Sequence, residues 1–478
     1  MKPRVPSSAF GGLAILVLAL AAGCAVGPDY HPPKVALPPD WKDATGAVNT
    51  NAPGELAQWW KTLGDPQLES LIGRAAQANF DLKAAEARVR AARSLRGVVL
   101  ADFLPTIDAD ASANKNRRSA NAQVFQSQQF NTDTYLVGFD ASWEIDIFGG
   151  RRRALQAATA DLQAIEADRN AVLVTLLAEV ARHYLDFRGT QRRLFIAKGN
   201  IAAQQEVVDI SQLRFDKGLS SELDVTQAKS LLAASKSQLP TLDTALKQSS
   251  FRLSVLLGEA PGSLDTELAA PTPIPPMPPA VPAGLPSELL RRRPDIQRSE
   301  RQLAGATARI GVATAELFPK FYLTGAAGYQ SLSADNLIEP ASKFWSLGPL
   351  VRWRLLEYPR LKAQIHATTA QQEQILAQFN QVVLLSLEEV ENAIVAYGNE
   401  QDRYTALSQS VTESRRSFDL ANELYTKGLG EFLNVLIAQR ALFESEDAQV
   451  QSQRTMTQNA VALYKALGGG WQVEAKMN

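Results

Sequence analysis

The 478-residue chain has one cysteine, Cys24, and three histidines. A disulfide needs two cysteines, and His31, His183 and His366 show no metal-ligand spacing, so the sequence indicates neither a disulfide scaffold nor a metal centre. The 49 basic and 50 acidic residues nearly cancel, which argues against a nucleic-acid binder, because such proteins usually carry a basic excess. There is no P-loop, dinucleotide-binding glycine pattern or nucleophile elbow. We therefore expect no catalytic residues, no metal and no cofactor.

Long apolar runs are also missing after the first residues, so no transmembrane helix is predicted. Residues 1–23 have a basic start, an apolar core and small residues at the end, which predicts a signal peptide. The run LAAGC at 20–24 has the form of a bacterial lipobox, in which the cysteine is lipidated and becomes the mature N-terminus. Because Cys24 has no partner cysteine, we prefer lipidation to a chance cysteine after an ordinary signal peptide. Ala25 permits sorting to the outer membrane.

The chain contains an internal duplication. LRFDKGLSSELDVTQ at 213–227 recurs in altered form as ELYTKGLGEFLNVLI at 423–437, and the lysines of the two KGL copies lie 427 − 217 = 210 positions apart. The same offset pairs Trp143 with Trp353. Repeats outrank local motifs in assigning a fold, so we predict two structural repeats, at 65–270 and 287–470.

Each repeat contains segments in which apolar and polar residues alternate. In the first, Phe139, Trp143 and Ile145 alternate with Asp140 and Glu144. This period of two predicts β-hairpins at 104–147 and 319–356. Strands with one apolar and one polar face, and aromatic residues near their ends, are typical of an outer-membrane barrel wall. The period alone also fits a soluble sheet packed on a core.

A long helical hairpin is predicted after each β-hairpin. Residues 151–188 and 360–397 contain neither glycine nor proline, and their narrow apolar stripes indicate coiled-coil seams. Gly218 and Gly428 each follow a lysine, as expected at a helix end. Ser221 and Asp224 resemble a capping box for the returning helix, which the second copy lacks.

Three segments lie outside the repeats. We expect residues 24–64 to be a lipidated N-terminal tether, 271–286 to be a stiff proline-rich linker, and 471–478 to be a C-terminal tail. Two hairpins give four strands, too few to close a barrel in one chain. Because lipid does not tolerate open strand edges, membrane-spanning hairpins would require several chains to share one barrel.

The residues resemble a known family, the outer-membrane efflux lipoproteins. These are the NodT/OprM-type outer membrane factors of tripartite resistance-nodulation-division (RND) pumps, related to TolC. The resemblance covers nearly the whole chain and rests on LAAGC with AVGPDY, Trp59-Trp60 before LGDPQL, DIFGGRRRA, both KGL copies, LLRRRPDI at 289–296 and LYKALGGGW at 463–471.

The resemblance implies a mainly α fold with membrane β structure. Three chains would form a homotrimer, with an α-barrel of long coiled helices and one shared twelve-stranded β-barrel. It also implies docking to a periplasmic adaptor and an inner-membrane RND transporter. The subunit would then be a passive exit duct for drugs or other small toxic compounds, and not an enzyme.

The resemblance further implies site residues at the bends between the long helices. The periplasmic gate would lie just after the second bend, at Leu433 and Ile437, with Leu223 and Gln227 as their first-copy counterparts. An apolar constriction is expected, because Ile437 stands where the family often has an acidic residue. Tyr425 matches a tyrosine of the family's hydrogen-bond network, whereas the neighbouring Leu424 replaces a frequent arginine. The adaptor contacts are expected at Lys217, Gly218, Leu219, Lys427, Gly428 and Leu429.

Two other functions fit parts of the sequence. A TolC-like channel for type I secretion would share the architecture, although the lipobox weighs against it. A periplasmic coiled-coil scaffold lipoprotein would explain the long helices but would lack the alternating hairpins.

Overall fold

The structure is a computed structural model that describes residues 25–42, 48–49, 56–117, 119, 131–276 and 280–472. In chain order its strands and α-helices are β1 (Val48–Asn49), α1 (Pro66–Ala78), α2 (Phe80–Ala101), β2 (Thr106–Arg117), β3 (Asn131–Ile145), α3 (Gly150–Asp216), α4 (Glu222–Leu256), β4 (Val281–Pro282), α5 (Leu289–Arg292), α6 (Pro294–Ala315), β5 (Lys320–Ser331), β6 (Lys343–Arg352), α7 (Tyr358–Thr426) and α8 (Phe432–Ala466). The signal peptide and Cys24 lie outside the described residues.

The chain divides into two compact units. The first combines Met1–Lys34, Val89–Ile165 and Arg298–Phe379, and the second combines Val35–Arg88, Glu166–Gln297 and Asn380–Asn478.

The first unit contains an antiparallel sheet in which the described strands follow the order β2-β3-β5-β6. The first predicted hairpin is β2-β3 and the second is β5-β6. Strand β3 of the first repeat also pairs with β5 of the second, from Tyr135 opposite Ser331 to Ile145 opposite Phe321. Both repeats thus join in one sheet. The last strand ends at Arg352, so Trp353 and Leu355 lie beyond it.

The second unit is built on helices around a buried aromatic core. Trp59, which is 1% exposed, stacks on Tyr464 with ring centroids 5.3 Å apart. Asp65 caps the start of α1: its carboxylate accepts from the backbone N–H groups of Gln67 and Leu68, and Pro66 occupies the first turn. The Tyr184 hydroxyl donates to the same carboxylate at 2.6 Å. This fixes the start of α1 on the long helix α3.

The long helices extend further than predicted. Helix α3 has 67 residues and α7 has 69, so they continue through Gly189, Gly199 and Gly398. At Gly189 a Cβ would lie 2.8 Å from Cδ of Arg454. The glycine allows close approach of the helices there, and this packing outweighs its low helix propensity.

The expected tether and the expected proline-rich linker make specific contacts within the second unit. The proline-rich segment supplies β4, which pairs in parallel with β1. The indole N–H of Trp41 donates to the Gly284 carbonyl at 2.8 Å. Neither contact was predicted, because each joins residues more than two hundred positions apart.

Candidate channel sheet and helical bends

The sheet has one apolar face. Because side chains alternate along a strand, the register places the members of each cross-strand row on the same face. One row joins Ala109, Phe139, Ala327 and Trp345, and its side chains share an almost wholly apolar surface. Phe139 is 63% exposed and Trp345 is 80% exposed. Large aromatic residues are thus left uncovered on this face of the isolated chain, which indicates a surface that contacts something apolar.

The opposite face is polar along β2 and β3. Asp108 lies directly opposite Asp140, and Asp110 follows two residues along the same strand. Like charges directly opposite one another destabilise a sheet unless water screens them. Contact with water is therefore favourable for this face, and its polarity agrees with the alternation in the sequence.

Strands β2 and β6 form the edges of the sheet, and their outer sides have no paired strand among the described residues. They contain 12 and 10 residues. Unpaired backbone groups along such edges are a template for pairing with another chain.

Equivalent tryptophans make the same hydrogen bond in the two hairpins. The indole N–H of Trp143 donates to the Phe103 carbonyl at 2.9 Å, and that of Trp353 donates to the Leu317 carbonyl at 3.0 Å. Each bond ties the end of a second strand to the chain before the first strand. The duplication seen in the sequence therefore extends to individual hydrogen bonds.

The DIFGGRRR segment is the strand-to-helix turn between β3 and α3. Asp146 accepts from the backbone N–H groups of Arg151 and Arg152, at 3.1 and 2.9 Å. The carboxylate thereby satisfies free donors at the start of α3, where the helix dipole favours negative charge. Arg151 also pairs with Glu144 at 2.8 Å.

Both predicted glycine bends are present in the second unit. Gly218 and Gly428 have φ values of +73° and +77°, which a residue with a Cβ adopts only with strain. Leu219 N–H donates to the Arg214 carbonyl at 2.8 Å, and Leu429 N–H donates to the Leu424 carbonyl at 2.9 Å. These bonds close a Schellman motif at the end of each long helix.

The helices that return from the two bends begin differently. Ser221 and Asp224 form the predicted capping box, in which each side chain accepts from the backbone of the other. At the second bend Glu431 occupies the cap position without a side-chain hydrogen bond.

The bends of the two copies pack together. Val208 and Ala228 of the first copy share a buried cluster with Tyr425, Phe432 and Val435 of the second. The two helical hairpins therefore turn at the same end of the second unit.

Tyr425 lies at the centre of this contact and is 6% exposed. Its ring packs on Phe432 with centroids 5.2 Å apart, and the guanidinium of Arg214 lies 4.5 Å from the ring centroid. Arg214 also donates to the Tyr425 carbonyl at 3.3 Å. The Tyr425 hydroxyl has no hydrogen-bond partner among the described residues. Within the chain, contacts of the ring and the backbone hold Tyr425 in place.

Sequence reasoning missed Arg214, although the repeat contained the signal. Arg214 is the first-copy equivalent of Leu424, the position at which the family often has an arginine. Here the basic partner of Tyr425 comes from the other repeat.

The expected gate residues are mostly uncovered. Leu433, Ile437 and Leu223 are 50%, 58% and 63% exposed, while Gln227 is partly buried. Leu433 and Ile437 are four residues apart in α8 and share one helix face. The expected adaptor contacts at both KGL bends are exposed as well. Their functional roles remain predictions.

The described residues contain no cluster of three or more histidine, cysteine or acidic side chains arranged to hold a metal ion. Nor does any helix within these residues have a stretch long and apolar enough to cross a membrane.

Comparison with known proteins agrees with this architecture. The family model described as "Outer membrane efflux protein" matches residues 71–259 and 285–469, one segment in each repeat. The chain is 34% identical over 444 residues to the pyoverdine export outer membrane protein OpmQ of Pseudomonas aeruginosa, covering 92% of each chain. It is 30% identical to the solvent efflux pump outer membrane protein SrpC of Pseudomonas putida, covering 97% of this chain and 99% of that one. The solved structure of the outer-membrane channel OprN superposes with a TM-score of 0.88 at 37% identity, covering 94% of this chain and 100% of that chain.

The fold and the two-faced sheet are those of an outer-membrane channel subunit. The chain belongs to the outer membrane efflux protein family.

Proposed function

We propose that the chain is one subunit of a trimeric outer-membrane duct through which small organic compounds leave the cell. An inner-membrane RND transporter would supply the energy and a periplasmic adaptor would connect the two. The observation that supports this best is the sheet, which combines an apolar face, a polar face and two long edges that lack paired strands in the described chain.

The edges favour assembly over a single subunit in lipid. Each backbone group left unsatisfied in the hydrocarbon region costs several kcal/mol. Two edges of ten or more residues would together cost tens of kcal/mol, far beyond the roughly 5–15 kcal/mol stability of a folded protein. Pairing β2 of one subunit with β6 of the next removes this cost. Three copies close a twelve-stranded barrel, with the apolar face toward lipid and Asp108, Asp110 and Asp140 toward a water-filled bore.

The helical bends are the proposed gate and adaptor contact. Leu433, Ile437 and Leu223 leave apolar surface uncovered on the isolated chain. In a trimer, the three symmetry-related copies of this surface would meet on the threefold axis and close the duct by excluding water. Opening would require the second-copy hairpin to move outward and break the contacts of Tyr425. The exposed KGL bends, Lys217–Leu219 and Lys427–Leu429, would receive the adaptor.

The proposal also includes a lipid anchor at Cys24 and passive transport. Cys24 would carry covalent lipid and hold the N-terminus at the outer membrane, and the subunit would catalyse no reaction, because transport through it is passive. We propose no metal and no other cofactor.

Deletion of the gene tests which class of compound the duct exports. We expect the deletion strain to become sensitive to drugs, dyes or other small toxic compounds, and a plasmid copy to restore resistance. Loss of a secreted protein with unchanged sensitivity would instead indicate type I secretion.

Purified protein should run as a trimer and conduct ions in a planar bilayer. A non-conducting monomer would contradict the duct.

Crosslinking tests the gate. A cysteine pair placed across adjacent subunits near Leu433 should abolish efflux until it is reduced, while each single cysteine variant serves as the control. Normal export by fully crosslinked trimers would contradict the proposed gate.

A further inference from the structure

The first unit binds the N-terminal segment of its own chain through a buried arginine. The Arg153 side chain is 4% exposed. Its Nε donates to the Val26 carbonyl at 3.0 Å, and its Nη2 donates to the carbonyls of Ala25 and Gly27 at 3.4 and 3.2 Å. The same Nη2 pairs with Asp29 at 2.8 Å. One planar cation thus contacts three consecutive backbone carbonyls and a carboxylate, which only an ordered peptide segment can present.

Three glycines leave room for this segment. A Cβ on Gly27 would lie 2.4 Å from Cα of Gly311, and a Cβ on Gly311 would lie 2.7 Å from Cγ of Arg153. A Cβ on Gly149 would lie 2.6 Å from Cα of Ala25. Real Cβ atoms do not approach other atoms this closely, so the backbone of the segment and the site are fitted to each other at several points.

The segment docks where β3 ends and β5 begins. The Val26 N–H donates to the Phe148 carbonyl at 3.1 Å, three residues after the end of β3. The Phe148 ring stacks on Phe318, two residues before β5, with centroids 4.6 Å apart. A second contact follows along the segment, since the Tyr30 hydroxyl donates to Glu300 at 3.0 Å.

We propose that Arg153, Gly149 and Gly311 form an acceptor site for residues 25–29, and that this site fixes the lipid on Cys24 beside the end of the sheet. We call these three residues the N-terminal acceptor. The inference rests on the proposed function, in which Cys24 is lipidated. Cys24 directly precedes the docked Ala25 in the sequence, so docking of residues 25–29 would hold a lipid on Cys24 close to the site. A flexible tether would leave the position of the acyl chains relative to the sheet unrestricted. The N-terminal acceptor would instead hold the lipid beside the sheet, so that both enter the membrane together.

The arginine is needed for its shape as well as its charge. Lysine carries a compact ammonium on a flexible stem and lacks the planar fork that reaches three carbonyls at once. We therefore expect both Arg153→Gln and Arg153→Lys to release the segment. Gly27→Ala provides an independent variant, because it changes only the docked segment and leaves the rest of the sheet unit intact.

A spin label reports whether the segment is docked. Pro28 is exposed and can be replaced by cysteine for labelling, since lipidation consumes the thiol of Cys24. The label should be immobile in the parent and in Arg309→Gln, a matched control in which an exposed arginine of the same unit loses its pairing with Asp161. In Arg153→Gln and Gly27→Ala the mobile fraction should become the main component.

Two further measurements separate docking from its consequence. Incorporation of labelled palmitate should stay within twofold of the parent, while the yield of membrane-inserted trimer should fall at least threefold in the released variants. An immobile label in both Arg153→Gln and Gly27→Ala would refute the acceptor. A mobile label with full insertion would refute its role in placing the lipid. If the proposed efflux function is wrong, the parent itself will show no export phenotype, whatever the label shows.

Discussion

The contacts of Tyr425 allow its ring and its hydroxyl to be tested separately. The ring packs on Phe432 and under Arg214, whereas the buried hydroxyl has no partner among the described residues. Tyr425→Phe removes only a polar group whose burial costs about 1–3 kcal/mol, so it should leave the contact intact or strengthen it. Tyr425→Ala removes the ring and should cost roughly 3–5 kcal/mol, including the contact with the arginine.

Amide hydrogen exchange measures the difference in local stability between the two variants in the segments around Tyr425. Peptides covering 204–216 and 421–439 should exchange at the parent rate or more slowly in Tyr425→Phe, and at least a hundredfold faster in Tyr425→Ala. In cells, only the alanine variant should admit a bulky antibiotic that the closed duct excludes. Tyr404→Phe in the same helix controls for the loss of a tyrosine hydroxyl in general. Equal loosening by the phenylalanine and alanine variants would refute our reasoning.

The remaining predictions concern a helix cap, an ion pair and a strand end. Ser221→Ala should cost about 1 kcal/mol and speed amide exchange in the first turn of α4, while Glu431→Ser should slow exchange at the start of α8; no change in either would contradict the capping difference. Burial raises the pKa of Asp295, but hydrogen bonding and the charge of Arg293 outweigh it and leave the pKa below its ordinary value of 3.8. The resulting stabilisation is present above pH 3.8 and is lost as the pH falls through the lower folded value, so Asp295→Asn should be less stable near pH 7 and show a shallower acid decline in thermal melts. Trp143→Phe loses an indole hydrogen bond worth about 1 kcal/mol and should lower the melting temperature of the trimer, and an unchanged melt would show that the bond contributes nothing.

Local patterns predicted the strands, caps and bends. The alternation from Val137 to Ile145 gave the apolar and polar faces of β3, because the period of two is set by backbone geometry. Gly218 and Gly428 marked the helix ends, because few other residues adopt positive φ without strain. The capping box at Ser221 was predicted from four adjacent residues. Each of these features depends on residues that are close together in the sequence.

Features that depend on distant residues were not predicted. Helix α3 continues past Gly189 because the neighbouring Arg454 side chain packs there, and the sequence of α3 does not contain that information. The N-terminal segment has a loop-like composition, yet Arg153 fixes it in place from more than a hundred positions away. Arg153 is one of three adjacent arginines, and its side chain is nevertheless buried.

The candidate site was likewise predicted only in part from the sequence. The duplication revealed that the two bends are equivalent, and the resemblance suggested a role for Tyr425. Neither indicated that Arg214 would be its partner, because the family pattern places the arginine at position 424. The repeat alignment pairs Arg214 with position 424, so the arginine was present in the first copy of the bend.

The two bends also differ in how firmly their return helices begin, because only the first has a side-chain cap. A serine cap worth about 1 kcal/mol corresponds to a roughly fivefold difference in how often a helix end frays. If an incoming partner pushed equally on both copies, the uncapped second bend would yield first. Duplication would then have produced one hairpin that serves as a stationary support and another that moves, although both descend from the same segment.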